Sequence, residues 1–230
     1  MTMVSSLDLI RRVPLFSSLT DAQAEAVAAA VVKHRFKRGE VIVEKGKRTG
    51  ALFILLNGRA RVLSCDRKGR EVILAVLQPS HHIGEMSLID GEPHSATVQA
   101  EVQTDVLRLD GEQFVLCLSE NASLAHAVMR GLALRLRQAD HKIESLALLD
   151  VYGRVARALL EFAEDTGEVE LLIRDRVSRQ DVAKMIGASR EMVSRVMKDL
   201  EKQGHIKTLG NGSIRIKSNL QEVAGDPALS

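Results

Sequence analysis

Between residues 124 and 149 the apolar side chains recur in alternating steps of four and three: Ala125, Met129, Leu132, Leu136, Ala139, Ile143 and Leu146. Those steps keep successive residues on one stripe of a helix. A stripe apolar at both core positions of a heptad is a seam that needs a facing helix. Arg135, Arg137, Asp140, His141 and Glu144 fall largely off it. At ~1.5 Å per residue such a rod is about 40 Å long, more than one small domain requires. The spacing therefore predicts a long helix that joins two domains and pairs two copies of the chain.

The flanks differ in texture. Thr20 and Gln23 form a capping box, and residues 22–32 continue in good helix formers. From about Phe36 onward short β-rich runs follow one another at 41–43, 51–56, 60–63, 72–77, 95–100 and 105–109. Gly39, Gly46, Asn57, Gly58 and the stretch 66–69 supply turn chemistry between them. That cadence predicts an antiparallel sandwich or jelly roll. After the long helix, Asp150 caps a helix over 151–162 that Gly167 closes. Residues 165–177 have room for a small hairpin, and residues 221–230 read as a polar tail without structure.

The sharpest motif lies between. Ser178, Arg179, Gln180 and Asp181 open a capped helix carrying Val182, Ala183, Met185 and Ile186; Gly187 breaks it. Ser189 caps a second helix that runs to about Gln203, with Gly204 just past its end. Val193, Val196, Met197 and Leu200 form its buried side. Arg190, Glu191, Ser194, Arg195 and Lys198 share the other. Length, turn and packing predict a helix-turn-helix whose second helix enters a major groove. There an Arg can fork onto guanine and a Glu can accept from cytosine. Ser178, Arg179 and Gln180 suit backbone phosphates. Residues 206–209, Gly210, Asn211, Gly212 and 214–216 predict a two-stranded basic wing.

Composition narrows the rest. The 230 residues suit one large or two ordinary domains, and a formal charge of +2 means that any nucleic-acid surface is local. No apolar run approaches the ~20 residues of a membrane span. No export signal is evident, and Cys65 and Cys117 are too few for a disulfide framework or a thiolate cluster. The expectation is a cytoplasmic, non-membrane protein with no bound metal, no covalent cofactor and inert, buried thiols. His81 and His82 read as a solvated loop rather than metal or haem ligands. Walker-type glycine loops, HExxH and GxSxG are all missing from the sequence, so an enzyme is not expected.

With these residues in place, the chain resembles the CRP/FNR family of bacterial transcription regulators over nearly its whole length. The stretch 177–206 looks most like the catabolite activator branch, in which an Arg-Glu-x-x-x-Arg pattern reads the half-site. By that match Arg190, Glu191 and Arg195 carry base recognition, and TGTGA-like half-sites are implied. Residues 149–154 resemble the family's hinge, and the N-terminal sandwich resembles its cyclic-nucleotide-binding domain. The resemblance implies an effector site at Gly84, Glu85, Ser95 and Ala96, where Glu85 holds a ribose hydroxyl and backbone amides hold a cyclic phosphate. Three positions depart from the pattern. His94 stands where the family has the phosphate-binding arginine; a neutral imidazole, with an ordinary pKa of ~6.5, lacks the two-pronged fork. Ala139 and Asp140 stand where the family grips adenine, and an acid there suits guanine's donors.

These readings together give an α+β chain. It has an N-terminal jelly-roll effector domain (1–123), a dimerisation helix and hinge (124–150), a winged helix-turn-helix (151–220) and a flexible tail (221–230). The expected partners are double-stranded DNA with a near-palindromic operator, a second copy of the chain, and RNA polymerase. The recognition helices should sit about 34 Å apart. The effector is cAMP, cyclic di-GMP, or another ligand. Two alternatives stand beside this: a regulator that needs no effector, and a cyclic-nucleotide module that acts on a protein partner.

Overall fold

The computed structural model describes residues 5–164, 170–174, 177–217 and 219–225. The chain forms two compact units, Met1–Arg135 and Leu136–Ser230.

The first unit opens with α1 (Ser6–Arg11) and α2 (Asp21–Ala30), the latter started by the Thr20 and Gln23 capping box that the sequence indicates. The strands are β1 (Val31–Phe36), β2 (Val41–Val43), β3 (Ala51–Asn57), β4 (Ala60–Cys65), β5 (Glu71–Leu77) and β6 (His82–Ile83). After α3 (Glu85–Asp90) come β7 (Thr97–Ala100), β8 (Thr104–Asp110) and α4 (Gly111–Glu120). They make two four-stranded sheets, β1-β8-β3-β6 and β2-β7-β4-β5, antiparallel throughout. The strand β3 shows why the layers stack. It is apolar on both faces and buried from Ala51 through Leu55. Leu52 and Ile54, in register with Leu109 and Leu107, turn toward a core of Ile10, Phe16, Val27, Phe114, Leu124 and Val128. Phe53 and Leu55 turn the other way, into a core shared with Ile42, Ala60, Leu77 and Val98.

The long helix is α5 (Ala122–Leu148), 27 residues. Asn121 starts it, its Oδ1 accepting from the Leu124 amide at 2.8 Å. Leu124 and Val128 are buried in the first unit. The boundary between the two compact units falls within α5, after Arg135. Along the seam Met129, Leu136, Ile143 and Leu146 are 56–65% exposed in the single chain.

In the second unit the end of α5 meets α6 (Val151–Glu161) through Lys142–Glu161 at 3.6 Å and Glu144–Arg157 at 3.9 Å. Asp150 caps α6, accepting from the Gly153 amide at 2.8 Å, as its position suggests. Then come β9 (Leu171–Ile173), α7 (Arg179–Ile186), α8 (Arg190–Lys202), β10 (Ile206–Thr208), β11 (Ile214–Ile216) and α9 (Leu220–Val223). Val155, Leu159, Val182, Val193, Leu200, Ile216 and Leu220 share one core.

Several expectations need correction. Residues 31 and 32 leave the helix for β1, which pairs with β8. The stretch 82–83 is a strand rather than a loop. The wing has three strands, because β9 pairs with β11, while Leu172 of β9 also forms an antiparallel bridge with Glu164; Gly167 lies outside the described residues. The tail from 221 is not structureless. Gln221 to Val223 continue α9, and Leu220 and Ala224 are buried. Leu149 is held between that helix and α6: a Cβ built at Gly225 would lie 3.1 Å from Leu149 Cδ2, and one at Gly153 3.4 Å from the Val223 carbonyl. Residues 226–230 lie outside the described set.

Candidate functional site

The helix pair is built by its caps. Ser178 Oγ accepts from the Asp181 amide at 3.2 Å, and Ser189 Oγ from the Met192 amide at 3.2 Å. Gly187 ends α7 at φ 65°, the left-handed conformation that glycine adopts without strain. Val182, Ala183 and Ile186 then bury against Val193, Met197 and Leu200. That packing turns the opposite side of α8 outward, with Arg190, Glu191, Arg195 and Lys198 exposed and Ser194 half-buried. Ser178, Arg179 and Gln180 are exposed at the start of α7. Two links brace the assembly. The Thr208 amide donates to Glu201 Oε1 at 3.0 Å, joining wing to helix, and the Tyr152 hydroxyl donates to Gln203 Oε1 at 2.9 Å. Glu191 is folded onto the helix start. Its own amide and then the Ser189 hydroxyl hold its carboxyl below the ordinary value. Lys207, Arg215 and Lys217 are exposed on the wing side, and Arg215 meets Glu170 at 3.3 Å.

The second cluster lies in the first unit. Gly84 has φ 100°, and a Cβ there would lie 2.5 Å from the Ala51 carbonyl, so glycine is required on both counts. It starts α3 and delivers Glu85 into the interior, 1% exposed. Arg135 Nη1 donates to Glu85 Oε1, and Arg135 Nη2 donates to the His82 carbonyl at 2.6 Å. The other oxygen, Glu85 Oε2, is buried without a hydrogen-bond partner among the described residues. Burial pushes the Glu85 carboxyl above its ordinary value, and the Arg135 charge opposes the rise. The same burial, with Arg135 and His81 adding to it, brings His82 down to about 4, so its imidazole is neutral at pH 7.

His94 is near Gly84: its Cε1 lies 3.8 Å from the Cβ position there. The imidazole is 8% exposed, with Nε2 at 3.0 Å from Thr49 Oγ1, and burial lowers its pKa. Its main chain is tied to the neighbouring turn by His94 N to Lys47 O at 2.9 Å and Gly46 N to His94 O at 2.8 Å. Ser95 is exposed and Ala96 buried. The structure thus brings Gly84, Glu85 and His94 together. Asp140 lies exposed on the part of α5 that belongs to the second unit.

Sequence reasoning missed Arg135 and Thr49 as members of this cluster. Arg135 is fifty residues from Glu85, so only its place off the apolar seam hints at a separate task. Cys65 is exposed rather than buried, while Cys117 is buried and its thiol pushed up by burial and then by Glu120. Among the described residues no group of three or more His, Cys, Asp and Glu is placed to hold a metal. No helix of the described residues is long and apolar enough to cross a membrane.

A jelly roll with a glycine-anchored buried acid, followed by a long helix and a winged helix-turn-helix, defines the class of two-domain transcription regulators. Residues 33–121 match the cyclic nucleotide-binding domain, and residues 153–219 match the Crp-like helix-turn-helix domain. The cAMP-activated global transcriptional regulator Vfr of Pseudomonas aeruginosa is 32% identical over 183 residues, covering 76% of this chain and 86% of Vfr. The cAMP-activated global transcriptional regulator CRP of Salmonella typhimurium is 29% identical over 180 residues, 77% of this chain and 86% of CRP. The solved structure of CLP, the c-di-GMP responsive global regulator of Xanthomonas campestris, superposes with a TM-score of 0.71. It covers 86% of this chain and 100% of CLP at 24% identity, a likeness of fold. The chain belongs to the CRP/FNR family of transcription regulators, whose members bind DNA and are not enzymes.

Proposed function

We propose that the chain acts as a homodimer on a near-palindromic operator, with a cyclic nucleotide at the Gly84, Glu85 and His94 cluster as its effector. The observation that carries the DNA reading is the division of α8, with Val193, Met197 and Leu200 buried and Arg190, Glu191, Arg195 and Lys198 turned out. In this reading Arg190, Glu191 and Arg195 read TGTGA-like half-sites, and Ser194 and Lys198 flank them. Ser178, Arg179 and Gln180 hold phosphates. The exposed seam of Met129, Leu136, Ile143 and Leu146 supports pairing with a second copy, since those side chains are otherwise left in water. RNA polymerase is the further partner and the cytoplasm the compartment. The functional segments follow the sequence reading, with an effector domain to 123 and a DNA-binding domain over 151–220.

The effector reading rests on Glu85. A buried carboxylate oxygen without a partner is costly unless a donor reaches it, and a ribose hydroxyl is such a donor. Exposed Ser95 and the amides near Ala96 suit a phosphate, but neutral His94 supplies no charge to it. Vfr and CRP are named as cAMP-activated and CLP as c-di-GMP responsive. Both ligands therefore belong in the test. A second reading has one observation behind it: Arg135 already occupies Glu85 Oε1, as in a regulator that needs no effector.

Calorimetry with cAMP and with cyclic di-GMP, on wild type and Glu85→Ala, separates these readings. Binding of either ligand that Glu85→Ala weakens supports the pocket; binding of neither, with operator affinity intact, supports the effector-free reading. Loss of about 1–3 kcal/mol of operator binding in Arg195→Ala, with relaxed preference at one base, supports the DNA reading. Unchanged binding would overturn it and favour a module that acts on a protein partner.

A further inference from the structure

The outward side of α8 carries one residue that neither packing nor charge explains. Met192 is 43% exposed, the only large apolar side chain of α8 to be so, and the described residues include the whole of that helix. Its position is fixed. The Met192 amide is held by the Ser189 cap at 3.2 Å, which makes it the third residue of the helix. Three residues on, one turn along the same flank, lies exposed Arg195. Glu191, next to it, is drawn back onto the helix start by its own amide and the Ser189 hydroxyl. Of the exposed side chains in the first two turns, Arg190, Glu191 and Arg195 are charged and Met192 alone is apolar.

An apolar side chain gains from a major groove only where it meets an apolar group, and the C5-methyl of thymine is the one that the groove displays. Methionine is unbranched and polarizable, so it can follow a methyl without demanding one rotamer. Cytosine presents no methyl there, and the polar edges of guanine and adenine offer Met192 nothing to match. We propose that Met192 is a specificity-determining residue that reads the 5-methyl of one thymine in each half-site, beside the base read by Arg195. This rests on the DNA-binding reading above and deepens it.

The test uses a duplex selected from random sequence by the full-length protein, with any nucleotide that calorimetry shows to bind. Each thymine in turn is replaced symmetrically by deoxyuridine, which removes only the methyl. One methyl taken out of water on each half-site should cost wild type about three- to fourfold per half-site, roughly tenfold in all, at a single position. Met192→Ala and Met192→Gln should lose most of that penalty at that position and keep any methyl penalty elsewhere. Met192→Leu should retain much of it. Circular dichroism confirms that each variant folds, and Gln keeps the length of the side chain if Ala perturbs α8. An equal penalty in wild type and both variants, or no methyl-sensitive thymine at all, overturns the assignment while leaving the DNA reading intact. A Met192→Ala that weakens thymine and uracil duplexes alike also overturns it and points to a protein contact instead. Failure to select any duplex removes the DNA reading and this inference together.

Discussion

Replacing Arg135 with Ala isolates the energetics of the buried cluster. The substitution leaves Glu85, 1% exposed, with neither of its oxygens paired, and frees the His82 carbonyl that Arg135 Nη2 reaches at 2.6 Å. Breaking a buried ion pair by removing one partner costs about 3–5 kcal/mol. The Arg135 side chain is itself 37% exposed, so water screens part of the attraction, and about 2–3 kcal/mol is the expected loss near neutral pH. The loss should depend on pH. Burial raises the folded-state pKa of Glu85 and Arg135 opposes that rise, so the variant loses its main opposing influence and keeps only that of the Glu85 backbone amide. A carboxyl whose folded pKa exceeds its unfolded value destabilises the fold above that pKa, and the penalty fades as pH falls through it toward the ordinary 4.5. The defect is thus largest at neutral and alkaline pH and shrinks on acidification. Urea unfolding followed by far-UV circular dichroism is the assay, because the chain has no Trp and a single Tyr. Glu85→Gln combined with Arg135→Ala should recover all but about 1 kcal/mol, the value of the lost His82 carbonyl bond. A defect that is independent of pH, or that the Glu85→Gln change does not relieve, would refute the reasoning.

Gly84→Ala should destabilise the first unit by more than Gly69→Ala. Both have positive φ, worth about 1–2 kcal/mol to a residue with a Cβ, but only Gly84 also meets a carbonyl oxygen at 2.5 Å. Equal thermal midpoints for the two variants would contradict this. Ser189→Ala should cost about 1 kcal/mol in the second unit through loss of the α8 cap. It should also let the Glu191 pKa rise back toward the ordinary value, which an NMR titration would follow. A maleimide should label native protein once, at exposed Cys65, and reach buried Cys117 only after denaturation. Two rapid labels on the native chain would show that Cys117 is accessible.

How much was legible in the sequence depended on the range of the interactions involved. Caps are local, so Thr20, Asp150, Ser178 and Ser189 all start helices where their spacing indicates. The strand β3 was readable because it is apolar on both faces. The strand β1 was not: its four central residues are exposed, so it shows no alternation, and it follows directly on a run of helix formers. What makes it a strand is β8, some seventy residues away. The same distance problem hid the third strand of the wing, which finds its partner in β11 across the whole helix pair. In the buried cluster Gly84 and Glu85 are adjacent and could be read together, whereas Arg135 and Thr49 arrive from elsewhere in the chain and leave little local trace. Cys65 was misjudged because its strand is apolar in composition while its own position, at the strand's last residue, is not covered.

The packing around Leu149 has a consequence for the order in which the chain is made. The first unit is complete in its contacts by Arg135, so its parts are available to one another before the second unit is made. The second unit is different. Leu149 lies between Gly153 and Gly225, and Leu220 and Ala224 fill the same core as α6, α7 and α8. Its first helix therefore stays incompletely packed until α9 has been made. The jelly roll is free to fold before α6 is made, whereas the DNA-binding unit cannot close its core until α9 is made.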